Sequence, residues 1–377
     1  MDLNSVKHNL DSTPAYVFDR DKIVHNLTQL VELKKQAGCQ VLYSIKALPL
    51  EFVLKLAKEY LDGLSVSSLF EARIAKEVLA DSGTIHITTP GLRDDEFKQV
   101  AEICTHVSFN SINQYQRLNS FEIADCSLGL RVNPKLSFAV DPRFDPCRSY
   151  SKLGVDIESI DDSFENIEGL HFHTVFSNTD YLPLEKTVEL LKHKLGLKLA
   201  HLKWLNLGGG YLFSQINQQQ PFIKLVKQLT VDFDFEVYIE PGKTIVDDAG
   251  YLVTTVIDCF NSDGKSIAVL DTSVNHNPEV FEYQNKPELL EASAKGQYSC
   301  VLVGSSCLAG DLFGEYQFLT MPKVGDRLVF SYVGAYSLVK ANRFNGYNLP
   351  DIYLVDKENH ITAVKQSNYQ HYREQWR

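Results

Sequence analysis

Eight apolar, strand-like segments recur between residues 41 and 240, and nearly all are separated by amphipathic helical stretches. The predicted strands cover 41–46, 64–67, 84–88, 106–109, 127–132, 168–173, 203–207 and 235–240. Helical periodicity predicts helices near 50–60, 69–80, 93–104, 111–120, 183–196 and 219–230. One connection, from 133 to about 163, breaks the rhythm; it is long and Pro-rich, with a single helical turn expected near 163–166. Strict β/α alternation implies a parallel sheet, and eight units imply a closed (β/α)8, TIM-like barrel. A doubly wound sheet would use fewer units and an early Gly-rich phosphate loop, which does not follow the first strand. The barrel is expected to span 20–245.

The flanks follow another pattern. After an extended start at Ala15–Phe18, Asp19 or Asp21 is placed to cap a helix running to about Gln36, and Gly38 ends it. Past residue 245 the strand-like stretches 246–257, 266–271, 297–303, 327–331 and 351–355 alternate with Gly, Asn and Pro. Helical periodicity returns only in the C-terminal tail. A second, mainly β domain is expected over 246–377. The strand near residues 14–18 is expected to join it, making that domain discontinuous (1–19 and 246–377).

In a barrel, chemistry gathers where the strands end at the C-terminal face. Those positions hold Lys46, Ser67-Ser68, Arg131, His173, Gly208-Gly209-Gly210 and Glu240. Lys46 closes a buried-looking strand, Val41-Leu-Tyr-Ser-Ile-Lys46, just ahead of a proline turn. Lysine is rarely buried unpaired, and desolvation lowers its pKa and makes it a nucleophile. Schiff-base chemistry with a carbonyl or with pyridoxal phosphate needs such an amine; the alternative is a strand-end lysine reaching out to solvent. Ser67-Ser68 reads as a helix N-cap. His171 and His173 share a strand face, where a core histidine with satisfied nitrogens is the bland reading. No further Cys, His or carboxylate at ligand spacing accompanies them, so no metal site is expected. Three consecutive glycines let backbone N–H groups approach an anion such as phosphate. Glu240 ends a buried strand and needs a cation or a protonated ring nitrogen; a salt bridge to Lys243 or Arg131 is the structural alternative.

Composition narrows the partners. The 377 residues are 44% hydrophobic and 23% charged, as in ordinary globular proteins, and 37 basic against 48 acidic side chains give a formal charge of −11. Nucleic acid and anionic membranes are therefore not expected partners. The seven cysteines form no CxxC pair, which suits reduced thiols and a cytoplasmic location. No apolar run approaches the length of a membrane span.

Together these motifs carry a family resemblance. Tyr43-Ser-Ile-Lys46 resembles the Tyr-Ala-Val-Lys segment of the pyridoxal-phosphate (PLP) decarboxylases built on the alanine-racemase-type barrel, the ornithine and diaminopimelate decarboxylase superfamily. Leu207-Gly-Gly-Gly210 and Glu240-Pro-Gly-Lys243 resemble its phosphate and pyridine-nitrogen motifs. Further segments are similar to the carboxynorspermidine decarboxylase branch: Asp62–Glu71, Asn275–Glu282, Cys307-Leu-Ala-Gly-Asp311 and Ala335–Asn342 with Phe344-Asn-Gly346.

The resemblance implies a PLP-dependent decarboxylase acting on a small basic amino acid with a distal amine. Lys46 would carry the cofactor, His173 stack on its ring, and Glu240 pair with the ring nitrogen. Gly208, Gly209, Gly210 and Tyr336 would hold the phosphate, with Arg131, Gly242 and Lys243 completing the cofactor contacts. Cys307 would protonate the carbanion, and Asp311, His276 and Glu279 would contact substrate. The resemblance also implies a homodimer, with Cys307 and Asp311 completing the neighbour's site.

Position 243 is Lys where ornithine-type enzymes carry Arg, which keeps the charge but loses the fork. The segments Thr174-Val-Phe-Ser-Asn178, Ala47-Leu-Pro49 and Tyr283-Gln-Asn-Lys286 also depart from the family pattern. Decarboxylation of carboxynorspermidine or carboxyspermidine is the leading expectation. A diamino acid or a siderophore or peptide natural-product intermediate is the alternative substrate. A racemase would need a second base, usually a tyrosine, opposite Lys46. A non-enzymatic PLP-binding protein would lack the β-domain, and a Schiff-base aldolase would need no cofactor phosphate.

Overall fold

The computed structural model describes residues 1–118, 125–139, 141–160 and 167–377. Eight parallel strands form a ring: β1 (Gln40–Ser44), β2 (Gly63–Val66), β3 (Thr84–Thr88), β4 (His106–Phe109), β5 (Ser127–Asn133), β6 (Gly169–His171), β7 (Trp204–Asn206) and β8 (Glu236–Ile239). Each pairs with the next, and β8 pairs with β1 to close the barrel. Apolar runs buried on both faces explain why the strands read as continuous hydrophobic stretches.

Helices Glu51–Tyr60, Leu69–Leu79, Asp94–Ile103, Leu182–Leu195 and Gln220–Phe233 lie near the expected positions. Helix Ile112–Leu118 ends where the described residues stop, and the helical turn expected near 163–166 lies outside them. The long connection holds a feature not anticipated. Val155–Asp156 forms a short strand that adds to β5, with Val132 opposite Val155.

The barrel floor is packed around one large side chain. Trp204 on β7 is buried, and its Nε1–H donates to Ser127 Oγ at 2.8 Å. A Cβ at Gly169 would lie 1.9 Å from Trp204 Cδ2, and one at Gly129 would lie 2.3 Å from Cη2. Two neighbouring strands thus give up side chains to make room for one indole. His106 meets the same ring edge-on with centroids 5.3 Å apart, and His86 stacks on His106 at 3.8 Å.

The chain divides into two compact units, His25–Thr244, and Met1–Val24 together with Ile245–Arg377. In the second unit, strand Ala15–Asp19 runs antiparallel to Gly250–Ser262 and parallel to Asp351–Val355. The sheet continues on one side through Lys265–Leu270, Tyr298–Val303 and Leu312–Phe318, and on the other through Ile361–Lys365. Arg327–Phe330 pairs with Gly250–Ser262 off this path. Val6, Leu10, Val17, Val253, Val329 and Tyr353 belong to one packed core in this unit. Asp19 Oδ1 accepts from the Lys22 N–H at 3.0 Å, capping helix Arg20–Ala37. Residues 246–249, expected as strand, belong instead to helical turns Lys243–Val246 and Asp247–Ala249. Among the described residues, no helix is long and apolar enough to cross a membrane.

Candidate active site

Strand β1 leaves the sheet at Ser44, so Lys46 sits in a 3-10 turn (Ile45–Ala47) just beyond the strand rather than on it. The Ser44 N–H donates to Pro241 O at 2.9 Å, and Tyr43 OH to Leu48 O at 3.0 Å. A Cβ on Gly242 would come within 3.1 Å of both Ala47 Cβ and Ser44 O, so this glycine lets the end of β8 press against the lysine turn. The Lys46 side chain is solvent-accessible, yet protein surrounds its amine closely. A lysine in a recess open on one side satisfies both. Desolvation lowers its pKa and the Arg131 charge adds to that, while Glu240 and Glu71 oppose it.

Ser68 caps helix Leu69–Leu79, as expected: its Oγ accepts from the Glu71 N–H at 3.2 Å. Glu71 reaches back to the Ser67 N–H at 2.6 Å. Burial raises the Glu71 pKa, and the Ser67 bond and Lys46 restrain the rise.

Glu240 is buried one residue beyond β8. Its Oε1 accepts from Asn206 Nδ2 at 2.8 Å, and its Oε2 lies 3.6 Å from His171 Nε2. Burial would raise this carboxyl, but the His171 imidazole and, behind it, the Lys46 amine hold it well below the usual range. Arg131, on β5 beside His171, is also buried. Burial lowers its pKa and Glu240 opposes this, but no ion pair joins the two side chains. Arg131 hydrogen-bonds to none of the described residues, leaving a buried fork of donors for a ligand.

His173 lies two residues beyond β6. Its Nδ1 accepts the Gly209 N–H at 3.1 Å, which assigns the ring proton to Nε2. Burial, with Lys46, Arg131 and His171 adding, drives its pKa well below the ordinary histidine value. The ring is therefore flat, neutral and fixed in one tautomer.

The glycine loop is bound tightly into the protein. Gly208 and Gly210 adopt φ of +69° and +93°. Added Cβ atoms at Gly208, Gly209 and Gly210 would lie 2.1–2.2 Å from the carbonyl oxygens of Phe172, Glu240 and Val175. The Gly208 N–H is taken by Asn206 Oδ1 at 2.9 Å and that of Gly209 by His173. Among the described residues, Gly210 N–H has no acceptor. Asn206 thus joins the loop to Glu240. It escapes sequence reasoning because an Asn two residues ahead of a run of glycines reads as turn chemistry; its one signal is a polar side chain ending a buried strand.

Lys243 Nζ sits 5.6 Å over the Phe176 ring, and Phe144 stacks on Phe176 at 5.3 Å. Two of the segments that depart from the family pattern are therefore in contact.

The remaining expected residues belong to the other unit. Tyr336 adopts φ of +62°, and burial, followed by Glu279, Tyr283 and Asp247, raises its hydroxyl pKa. Lys340 lies 3.8 Å from Glu279 and 5.8 Å over the Tyr336 ring, and it bonds Glu282 at 2.7 Å. Cys307 is exposed, and its backbone N–H donates to Asn345 Oδ1 at 2.7 Å. Asp311 is only 4% exposed. Its oxygens accept from Val274 N–H at 2.8 Å, from Ser306 N–H at 3.1 Å and from the Ser306 hydroxyl. Within its own chain this carboxylate fastens the loop that carries Cys307. His276 is 1% exposed, with Nδ1 3.0 Å from Thr272 Oγ1 and no partner at Nε2.

The barrel residues fit pyridoxal phosphate: an amine of lowered pKa, a fixed neutral ring, a buried carboxylate, an open loop N–H and an unsatisfied guanidinium. Comparison with known proteins agrees. Residues 15–334 match the family described as pyridoxal-dependent decarboxylase, C-terminal sheet domain. The carboxynorspermidine/carboxyspermidine decarboxylase of Campylobacter jejuni is 33% identical, over 96% of this chain and 97% of its own. The carboxyaminopropylagmatine decarboxylase of Synechocystis is 30% identical, over 96% and 94%. The crystal structure of C. jejuni carboxynorspermidine decarboxylase complexed with norspermidine superposes with a TM-score of 0.88 at 31% identity, covering 97% of this chain and all of that one. Helicobacter pylori diaminopimelate decarboxylase shares the fold, with a TM-score of 0.82 at 20% identity. On this family match and this near-full-length similarity, the chain belongs to the pyridoxal-dependent decarboxylases.

Proposed function

We propose that this chain decarboxylates carboxynorspermidine or carboxyspermidine, releasing CO2 and norspermidine or spermidine, in the cytoplasm. The observation that carries the substrate is the end-to-end similarity to relatives of that activity. Seven free cysteines support the location. The Synechocystis relative favours a second reading, carboxyaminopropylagmatine, of the same general kind: an amino acid with a distal cation.

Bound pyridoxal phosphate supplies the electron sink that accepts the electrons left behind as CO2 departs. Lys46, its pKa lowered by desolvation, is the amine that would hold the cofactor covalently. His173 offers its flat neutral face to the cofactor ring. Glu240 offers an ionised carboxylate that keeps the ring nitrogen protonated. The Gly210 N–H, the Tyr336 hydroxyl and Lys243 hold the phosphate, with Gly208, Gly209 and Gly242 shaping the backbone around it, and Arg131 supplies further donors. The Cys307 thiol gives its proton to Cα once CO2 has left. Glu279 reads the distal amine, and Asp311 and His276 support the loops that present these groups.

Cys307 acts in the site of a second copy of the chain, within a homodimer. Exposed Phe281, Leu312 and Phe344 lie beside the Cys307 segment: Leu312 follows Asp311, Phe344 adjoins the Asn345 that accepts from the Cys307 N–H, and Phe281 lies 3.0 Å from where a Cβ on Gly310 would stand. An apolar surface of this kind suits a protein interface.

The test is kcat/KM, followed by CO2 release, across carboxynorspermidine, carboxyspermidine, carboxyaminopropylagmatine, diaminopimelate and ornithine. A carboxylated polyamine should exceed the diamino acids by at least about a hundredfold, because the diamino acids lack the secondary amine and the longer reach to the distal one, and leave the groups built for these unpaired. Preference for diaminopimelate or ornithine would overturn the assignment.

A further inference from the structure

His171 sits in the barrel interior, 2% exposed, and neither of its ring nitrogens has a hydrogen-bond partner. A buried polar atom left unsatisfied costs about 1–3 kcal/mol, so an apolar residue would pack there more cheaply. Nε2 faces Glu240 Oε2 at 3.6 Å, just outside hydrogen-bond reach. The opposite carboxylate oxygen is already fixed by the Asn206 amide at 2.8 Å. Asn206 and His171 lie side by side on β7 and β6. The carboxylate therefore has a neutral donor firmly on one oxygen and a second, poised imidazole on the other.

The titratable groups around this pair are arranged differently. Arg131 on β5, Lys46 beyond β1, His86 on β3 and His173 beyond β6 all act on His171 or on Glu240 through space. Neither Arg131 nor Lys46 makes an ion pair with Glu240. Burial lowers the His171 pKa, with Glu240 opposing and Arg131 and Lys46 reinforcing, which favours the neutral ring. A neutral donor can orient a carboxylate without cancelling its charge, whereas a paired lysine or arginine would cancel it.

We propose that His171 is a positioning residue: its Nε2–H dipole, aimed at Glu240 Oε2 from 3.6 Å, confines that oxygen, so that the full carboxylate charge is directed at the cofactor's ring nitrogen. The inference rests on the assignment of Glu240 to that nitrogen. His171 touches neither cofactor nor substrate in this role, and acts only through Glu240.

The test reconstitutes the holoenzyme with pyridoxal phosphate labelled with 15N in the ring and reads the nitrogen's chemical shift, alongside kcat, KM and the thermal unfolding midpoint. His171→Phe fills the space without a donor. It should move the 15N shift toward the unprotonated value and lower kcat about tenfold or more, with little change in KM. His171→Gln carries an amide donor at nearly the reach of Nε2 and should restore both readings. His171→Asn, whose amide reaches only as far as Nδ1, should behave like the Phe variant. A Phe variant with a wild-type shift and kcat overturns the proposal, and so does a Gln variant no better than Asn, which would mark a packing role. Glu240→Gln is the separate control. If the nitrogen stays protonated in that variant, the Glu240 assignment itself fails, whatever the His171 variants do.

Discussion

Lysine becomes a nucleophile only when its uncharged form is populated, and in Lys46 desolvation moves the pKa in that direction against the pull of two carboxylates, Glu240 and Glu71. Lys46→Ala removes the only group proposed to attach the cofactor. The variant should purify without the visible absorbance of bound cofactor and without turnover. A normal band, reducible by borohydride onto another lysine, would move the assignment elsewhere.

Burial also acts on a group outside the barrel. It pushes the His276 pKa down to about 4, with Asp311 opposing. An unfolded histidine titrates near 6.5. Between those two values the unfolded chain binds the extra proton, so stability should fall as pH drops through this window. The loss is complete below the folded pKa and amounts to roughly 3 kcal/mol. In His276→Gln, urea midpoints measured across the window should lose this part of their pH slope. A slope equal to wild type would place the acid sensitivity in other histidines.

At the scale of elements, the barrel depends on what its floor leaves out. Gly169→Ala puts a methyl 1.9 Å from Trp204, inside the atoms of a ring held by a hydrogen bond and by neighbouring imidazoles. Overpacking of this kind costs about 1–3 kcal/mol. Gly91→Ala, at an exposed position whose nearest neighbour is 3.8 Å away, should change stability by no more than about 0.5 kcal/mol. Equal urea midpoints for the two variants would show that the indole is free to move.

The barrel strands were legible because each is a short apolar run between helices of strong periodicity, and their ends pointed directly to Lys46, His173 and Glu240. Elements with weak burial were not legible. Leu312–Phe318 alternates buried and exposed residues around Gly314 and Glu315, and Ile361–Lys365 is an edge strand with no buried residue. Helix Leu3–Asn9 is seven residues long and relies on Asp2 as its cap. The site's supporting contacts, Asn206 to Glu240 and Gly209 to His173, exist only once the ring closes and brings β6, β7 and β8 together. Neither composition nor spacing carries that information.

At the scale of the whole molecule, a two-fold dimer that shares its sites makes a test that self-contained sites cannot pass. Lys46→Ala and Cys307→Ala should each be inactive alone. After random subunit exchange half the dimers are mixed, and each mixed dimer holds one site with both defects and one with neither. Activity should return to about a quarter of wild type. Activity that stays at the level of the separate variants, with exchange confirmed independently, would place each site within one chain.

The pairing of Ala15–Asp19 has a consequence for how the protein is made. All five residues of this strand end up buried between Gly250–Ser262 and Asp351–Val355. The ribosome delivers it early and its partners late, with the entire barrel translated in between. Apart from the closing β8–β1 pair, the barrel's strand contacts run between successive segments, and all of them lie before residue 245, so it can close while the tail is still being synthesised. Throughout that interval the first strand waits as an unpaired apolar edge, the kind of segment that seeds aggregation and recruits chaperones. Yield in a cell is then governed by how quickly the final third of the message is read, and a pause placed after residue 244 should cost more soluble protein than one placed before it.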